Sequence, residues 1–152
     1  MPKTKFQNII FTLIMALIMV YCMICYNISI SMGQLTNHVF LIALYELPIM
    51  WLIAFFLEFF LFENLAKKLA FRIVNPTDKP IFILLAISSM IVCLMCPSMS
   101  LIATLLFKKN PKDFLATWLQ TTILNFPAAL CLQIFFVGPF VRQIFSLFQK
   151  NR

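Results

Sequence analysis

The chain is poor in charge, glycine and histidine. Of its 152 residues 11% are charged, five are acidic, two are glycine and one is histidine. So little glycine excludes a glycine-built phosphate cradle and a flexible low-complexity chain. A single histidine excludes a two-histidine metalloprotease helix. No nucleophile–base constellation stands out either, so the sequence reads as no enzyme and implies no cofactor. What fills the chain instead is apolar: 62% of residues, against about half in soluble domains, which also carry about a quarter charged residues. A soluble monomer of this length could not cover that much apolar surface, and such a composition is not that of a disordered chain. The expected class is an all-α, polytopic membrane protein.

About 20 consecutive apolar residues span a bilayer core as a helix. Four stretches qualify: Ile9 to Ile30, Val39 to Phe62, Ile81 to Phe107 and Phe114 to Val137. The first follows basic Lys3 and Lys5, as a signal peptide would. Its apolar run is too long for one and no small-x-small cleavage site follows, so it reads as a retained helix. The second contains Glu46 and Glu58. One acidic group costs at most about 3 kcal/mol at the bilayer centre, and the many Leu, Ile, Val and Phe of that run outweigh it.

Basic residues tend to stay in the cytoplasm. Both termini and the Lys67, Lys68, Arg72 and Lys79 connection hold nine basic residues, against Lys108, Lys109 and Lys112 in the third loop. The expected topology therefore has both termini inside, in the inner (plasma) membrane of a bacterium. The net charge of +7 then meets anionic lipid headgroups. Its scatter over termini and short loops argues against a nucleic-acid partner.

The chain also shows internal similarity. Offset by 75, the second stretch meets the fourth: Ala54, Leu57, Phe60 and Lys67 fall on Ala129, Leu132, Phe135 and Arg142, and Glu58 falls on Gln133. Offset by 71, the first meets the third: Ile10, Phe11, Met19, Cys22 and Cys25 fall on Ile81, Phe82, Met90, Cys93 and Cys96. The expectation is two repeated transmembrane hairpins, residues 1–75 and 76–152, related by an axis along the membrane normal, with their interface the natural place for a site. Such a hairpin suggests an ancestor that paired with itself, so a homodimer is a further expectation.

The fourth stretch reads Trp118, Phe126-Pro127-Ala128 and Pro139-x-x-Arg142. In the first half Asn27 and Gly33 are followed by Pro48 and Trp51, a loose match with proline and tryptophan in the reverse order, and Asn64 stands where the exit proline would be. In these features the chain resembles the small bacterial membrane proteins grouped as domain of unknown function 2798, as two tandem copies of their two-helix hairpin. The resemblance implies a location and a fold, and assigns no activity. In plan the chain also resembles the proteobacterial antimicrobial compound efflux family, but it lacks an acidic residue in its first helix.

Glu46 is the leading site residue, because an intramembrane carboxylate is a functional-site hypothesis by default. It stands beside Tyr45, two residues before Pro48, whose missing N–H leaves the Leu44 carbonyl in need of a partner. Gln120, Thr121, Thr122, Asn125 and Gln133 make the fourth helix the most polar. Gln120 and Asn125 join Glu46 as a candidate coupling or polar path; the plainer reading is helix–helix glue. Glu58 is expected to snorkel to the headgroups near Lys67 or Arg142. Cys22, Cys25, Cys93 and Cys96, with Met19, Met23, Met90 and Met95 nearby, have the chemistry of a soft-metal site. Cys and Met are also ordinary apolar filler, and that reading is preferred, so no metal is expected. His38 reads as interfacial and Cys131 as packing. The preferred function is a membrane interaction or structural protein with a membrane-protein partner. The alternative is a small proton-coupled carrier or efflux protein using Glu46.

Overall fold

A computed structural model describes residues 4–107 and 111–151, so the basic residues Lys3, Lys108, Lys109 and Arg152 lie outside the described residues. Four long helices follow one another: α1 (Lys5–Met32), α2 (Asn37–Ile73), α3 (Pro80–Phe107) and α4 (Phe114–Lys150). All four are long and apolar enough to cross a membrane. Thr4 caps α1 by accepting from the Gln7 N–H at 3.2 Å. Gly33 ends it at φ 76°, a left-handed conformation that glycine adopts without a Cβ clash, and its N–H bonds the Ile30 carbonyl. The chain then turns into α2 within a few residues.

Two of the helices outrun their apolar stretches. α2 continues to Ile73 and α4 to Lys150, 37 residues each. At 1.5 Å per residue that is about 55 Å, well beyond a bilayer core of about 30 Å. The extensions are amphipathic. Ala66 and Ala70 are buried while Lys67, Lys68 and Arg72 are exposed; Val141 and Phe145 are buried while Gln143, Ser146 and Lys150 are exposed. Packing of one face carries the helix on after the continuous apolar run has ended.

Each of these two helices contains one π-helical turn: Leu57–Phe62 in α2 and Leu132–Val137 in α4. The two turns lie 75 residues apart, the offset at which the residues of these helices match. In both, the N–H that closes the turn reaches back five residues, from Glu63 to the Glu58 carbonyl and from Gly138 to the Gln133 carbonyl. In α4 the wider turn precedes Pro139, whose ring would crowd the carbonyl four residues back in a regular helix. Pro48, Pro97 and Pro127 sit inside helices that run on through them.

The helices form a ring. α1 packs on α2 and α4, and α3 packs on the same two. Among the described residues no Cα of α1 lies within 8 Å of one in α3, nor one of α2 within 8 Å of one in α4. The start of α1 and the end of α4 lie at one end of the ring, where Phe11 and Phe145 meet edge to face at 5.6 Å and Gln149 donates to Gln7. Each hairpin is tied by an indole. Trp51 Nε1 donates to the Leu13 carbonyl at 3.1 Å, and Trp118 Nε1 to the Pro97 carbonyl at 3.0 Å. One apolar core lies between α1 and α2 around Val20, Val39, Ala43 and Ala54. A second joins α1 to α4 through Met15, Val137 and Val141. The outer surface is studded with exposed Leu, Ile and Phe.

Candidate functional site

With the diagonal backbones held apart, the ring surrounds an open cavity of about 460 Å³. α2 contributes Glu46, Met50, Ala54 and Glu58 to its wall; α4, opposite, contributes Thr121, Asn125, Ala129 and Gln133. Both sets step by four residues, and each member of one lies 75 residues from its counterpart in the other. A four-residue step turns about 40° around a helix, so the lining stripe slants and the helices must cross obliquely to share one cavity. α1 and α3 lay down stripes of the same kind. Ala16, Val20, Ile24 and Ile28 face it from α1; Val92, Cys96, Ser100 and Thr104 face it from α3.

The α1 and α3 stripes are 76 residues apart. Burial agrees, since buried Thr12, Ala16, Val20 and Ile24 correspond to buried Ser88, Val92, Cys96 and Ser100. The offset of 71 read from residue identities is therefore displaced by five, which is about 140° around a helix. In the register set by burial, Cys22 and Cys25 fall on Ser98 and Leu101, and Cys93 and Cys96 on Leu17 and Val20. The two cysteine pairs do not occupy matching positions. Of the four, Cys96 lines the cavity, while Cys93 is exposed on the outside. Among the described residues no three His, Cys, Asp or Glu side chains gather as a metal site. His38 and Cys131 are exposed and stand apart from the cavity.

Glu46, Gln120 and Asn125 all line the cavity. The mouth lies toward the Gly33 turn, where Ser31 and Gln120 are exposed; Met15, Val137 and Val141 pack beneath the far end. Thr122, one of the polar residues of this helix, is not on the wall, and its hydroxyl donates to the Trp118 carbonyl of its own helix. The larger correction concerns Glu58, which lines the cavity with Glu46. Lys67 pairs with Glu63 at 2.8 Å, and Glu63 also accepts from Asn8 Nδ2 at 3.0 Å. Arg142 lies over Gly138, and its Nε is buried with no acceptor. Among the described residues no ion pair reaches Glu58.

The electrostatics follow from the lining. Two carboxylates face the cavity, and no Lys, Arg or His among the described residues does. Glu46 and Glu58 are separated by twelve residues, about 18 Å of helix rise, so they do not form one carboxylate pair. Asn125 is 4% exposed, and its Oδ1 accepts no hydrogen bond. The rest of the wall mixes amides and hydroxyls, such as Asn27, Ser100, Thr104 and Gln133, with soft apolar surface that includes six methionines, among them Met23, Met50 and Met99.

The profile of the domain of unknown function DUF2798 matches residues 4–74 and again residues 81–149. The chain belongs to the DUF2798 family. The two matched stretches start 77 residues apart and end 75 apart, bracketing the offsets of the cavity stripes. The chain is similar to the uncharacterized protein YybC of Bacillus subtilis (strain 168), 33% identical over 156 residues that cover all of this chain and 97% of that protein. No solved structure matches.

Proposed function

We propose that the protein is a multi-pass carrier of the bacterial inner membrane that takes an organic cation into its central cavity. The observation that carries this is the cavity wall itself, where Glu46 and Glu58 face one space with no basic side chain opposite among the described residues. A carboxylate in a low-dielectric site needs a cation or a proton. The methionine-rich remainder suits the apolar body of an amphiphilic ligand, and deformable methionine surfaces accept varied shapes. The interaction-protein reading expects buried polar groups to be used up in helix pairing. Asn125 Oδ1, buried and unpartnered beside an open space, weighs against it.

In this reading both termini face the cytoplasm, with the basic extensions of α2 and α4 at anionic headgroups. The chain is two fused hairpins of residues 1–75 and 76–152 about an axis along the membrane normal, and it performs no covalent chemistry. The test is tolerance. Wild type, Glu46→Gln and Glu58→Gln are expressed at matched membrane levels, and growth is scored across cationic biocides and acid. Wild type is expected to raise tolerance to at least one cation and both variants to lose it. Equal growth of all three strains would return the chain to the interaction-protein reading.

A further inference from the structure

The cavity wall places three acceptors along its length. Glu46 lies toward the mouth and Glu58 twelve residues further in. In the shared register of α2 and α4, Asn125 is level with Met50, between the two carboxylates and on the opposite wall. That is about 6 Å of rise from Glu46 and about 12 Å from Glu58. A single ammonium cannot neutralise two carboxylates about 18 Å apart. Nor does a quaternary ammonium carry the N–H that Asn125 Oδ1 lacks. That oxygen belongs to a side chain 4% exposed, and a buried acceptor with no donor is a standing cost that a ligand's N–H would remove.

We infer that the cavity binds a linear polyamine lengthwise, with one terminal ammonium at Glu46, the other at Glu58, and an internal N–H donated to Asn125 Oδ1. This rests on the cation-carrier reading and names its substrate class. An extended tetraamine of the spermine type reaches most of the distance between the carboxylates, and a four-carbon diamine about a third of it. The methylene segments then lie against Met50, Met95 and Met99. The wall opposite the carboxylates carries amides and hydroxyls rather than basic groups, so nothing there repels the ligand's charge.

The test is calorimetric titration of the purified full chain in nanodiscs of neutral lipid with putrescine, spermine and 1,12-diaminododecane. The last has similar length but no internal nitrogen. Spermine is expected to bind at least about tenfold more tightly than putrescine, as engagement of a second charged partner implies. Glu46→Gln and Glu58→Gln should each abolish that preference. Asn125→Leu should weaken spermine about tenfold and leave 1,12-diaminododecane unchanged, and Asn125→Asp, which keeps an acceptor, should retain spermine binding. Gel-filtration profiles matching wild type establish that the variants are folded. Equal affinities for putrescine and spermine would overturn the lengthwise polyamine and leave a one-cation carrier. Loss of both long amines in Asn125→Leu would overturn the hydrogen-bond assignment. A wild-type protein that binds none of the three amines, nor the monocation tetraphenylphosphonium, would overturn the carrier reading as well.

Discussion

In the first hairpin the π turn Leu57–Phe62 carries Glu58 and leads into Glu63, which holds Lys67 and Asn8. In the second hairpin the π turn Leu132–Val137 carries Gln133 and leads into Gly138, over which Arg142 lies. The backbone irregularity is common to both; the charge is not. π turns are rare and concentrate at functional sites, so their presence at matching positions marks this level of the bundle as the place where geometry matters most. The halves build one cavity from equivalent positions and then divide its chemistry, with carboxylates on α2 and amides and hydroxyls on α4. A cavity lined identically on both sides would offer a ligand the same partners on either flank. This one presents an acidic wall and a neutral one.

The comparison can be broken most sharply by moving the charge. Glu58→Gln alone should weaken cation binding by about thirtyfold or more, since losing one partner of a desolvated charge pair costs about 2–5 kcal/mol. Adding Gln133→Glu to it puts the carboxylate at the matching place on α4 and should restore most of the binding, as read by titration calorimetry. No recovery would mean that the walls are not interchangeable, whatever their shared register.

The second test concerns the turns. A Cβ at Gly138 would lie 2.6 Å from the Gln133 carbonyl oxygen and 3.0 Å from Arg142 Nη2. Gly138→Ala should therefore destabilise the protein by about 1–3 kcal/mol, seen as a lowered Tm in detergent. At the matching place in α2 the side chain is already accommodated, and Glu63→Gln, which weakens a half-exposed ion pair, should cost less than about 1 kcal/mol. A smaller effect divides evenly between the halves. Trp51→Phe and Trp118→Phe each remove one indole hydrogen bond to the first or third helix and should each cost about 1 kcal/mol, additively because the sites are far apart. The smallest effect is expected at the cysteines. Cys22→Ala and Cys93→Ala should leave cation affinity within about 0.5 kcal/mol of wild type, because neither thiol lines the cavity.

Much of this was legible in the residues. Composition alone marks four apolar helices, because about 20 consecutive apolar residues leave the chain few other structures. The offset of 75 between α2 and α4 was legible too. These helices carry polar landmarks, such as Glu58 against Gln133, that fix a phase. Glu46 and Asn125 stood out as polar groups in apolar surroundings. Helices α1 and α3 offered no such landmarks. They are apolar nearly all round, so chance identities such as Cys22 with Cys93 pulled the register to 71 while burial sets it at 76.

What the sequence by itself determined is how many helices there are, where their apolar runs lie and which residues carry charge. Those follow from transfer energies that each residue contributes almost independently of its neighbours. Tertiary structure alone decided that α2 and α4 run past those runs, that each opens into a π turn, and that Glu58 faces inward with Glu46. Direction is a matter of helix phase and of what stands opposite. In a helix without a polar face, only packing against the other three sets that phase.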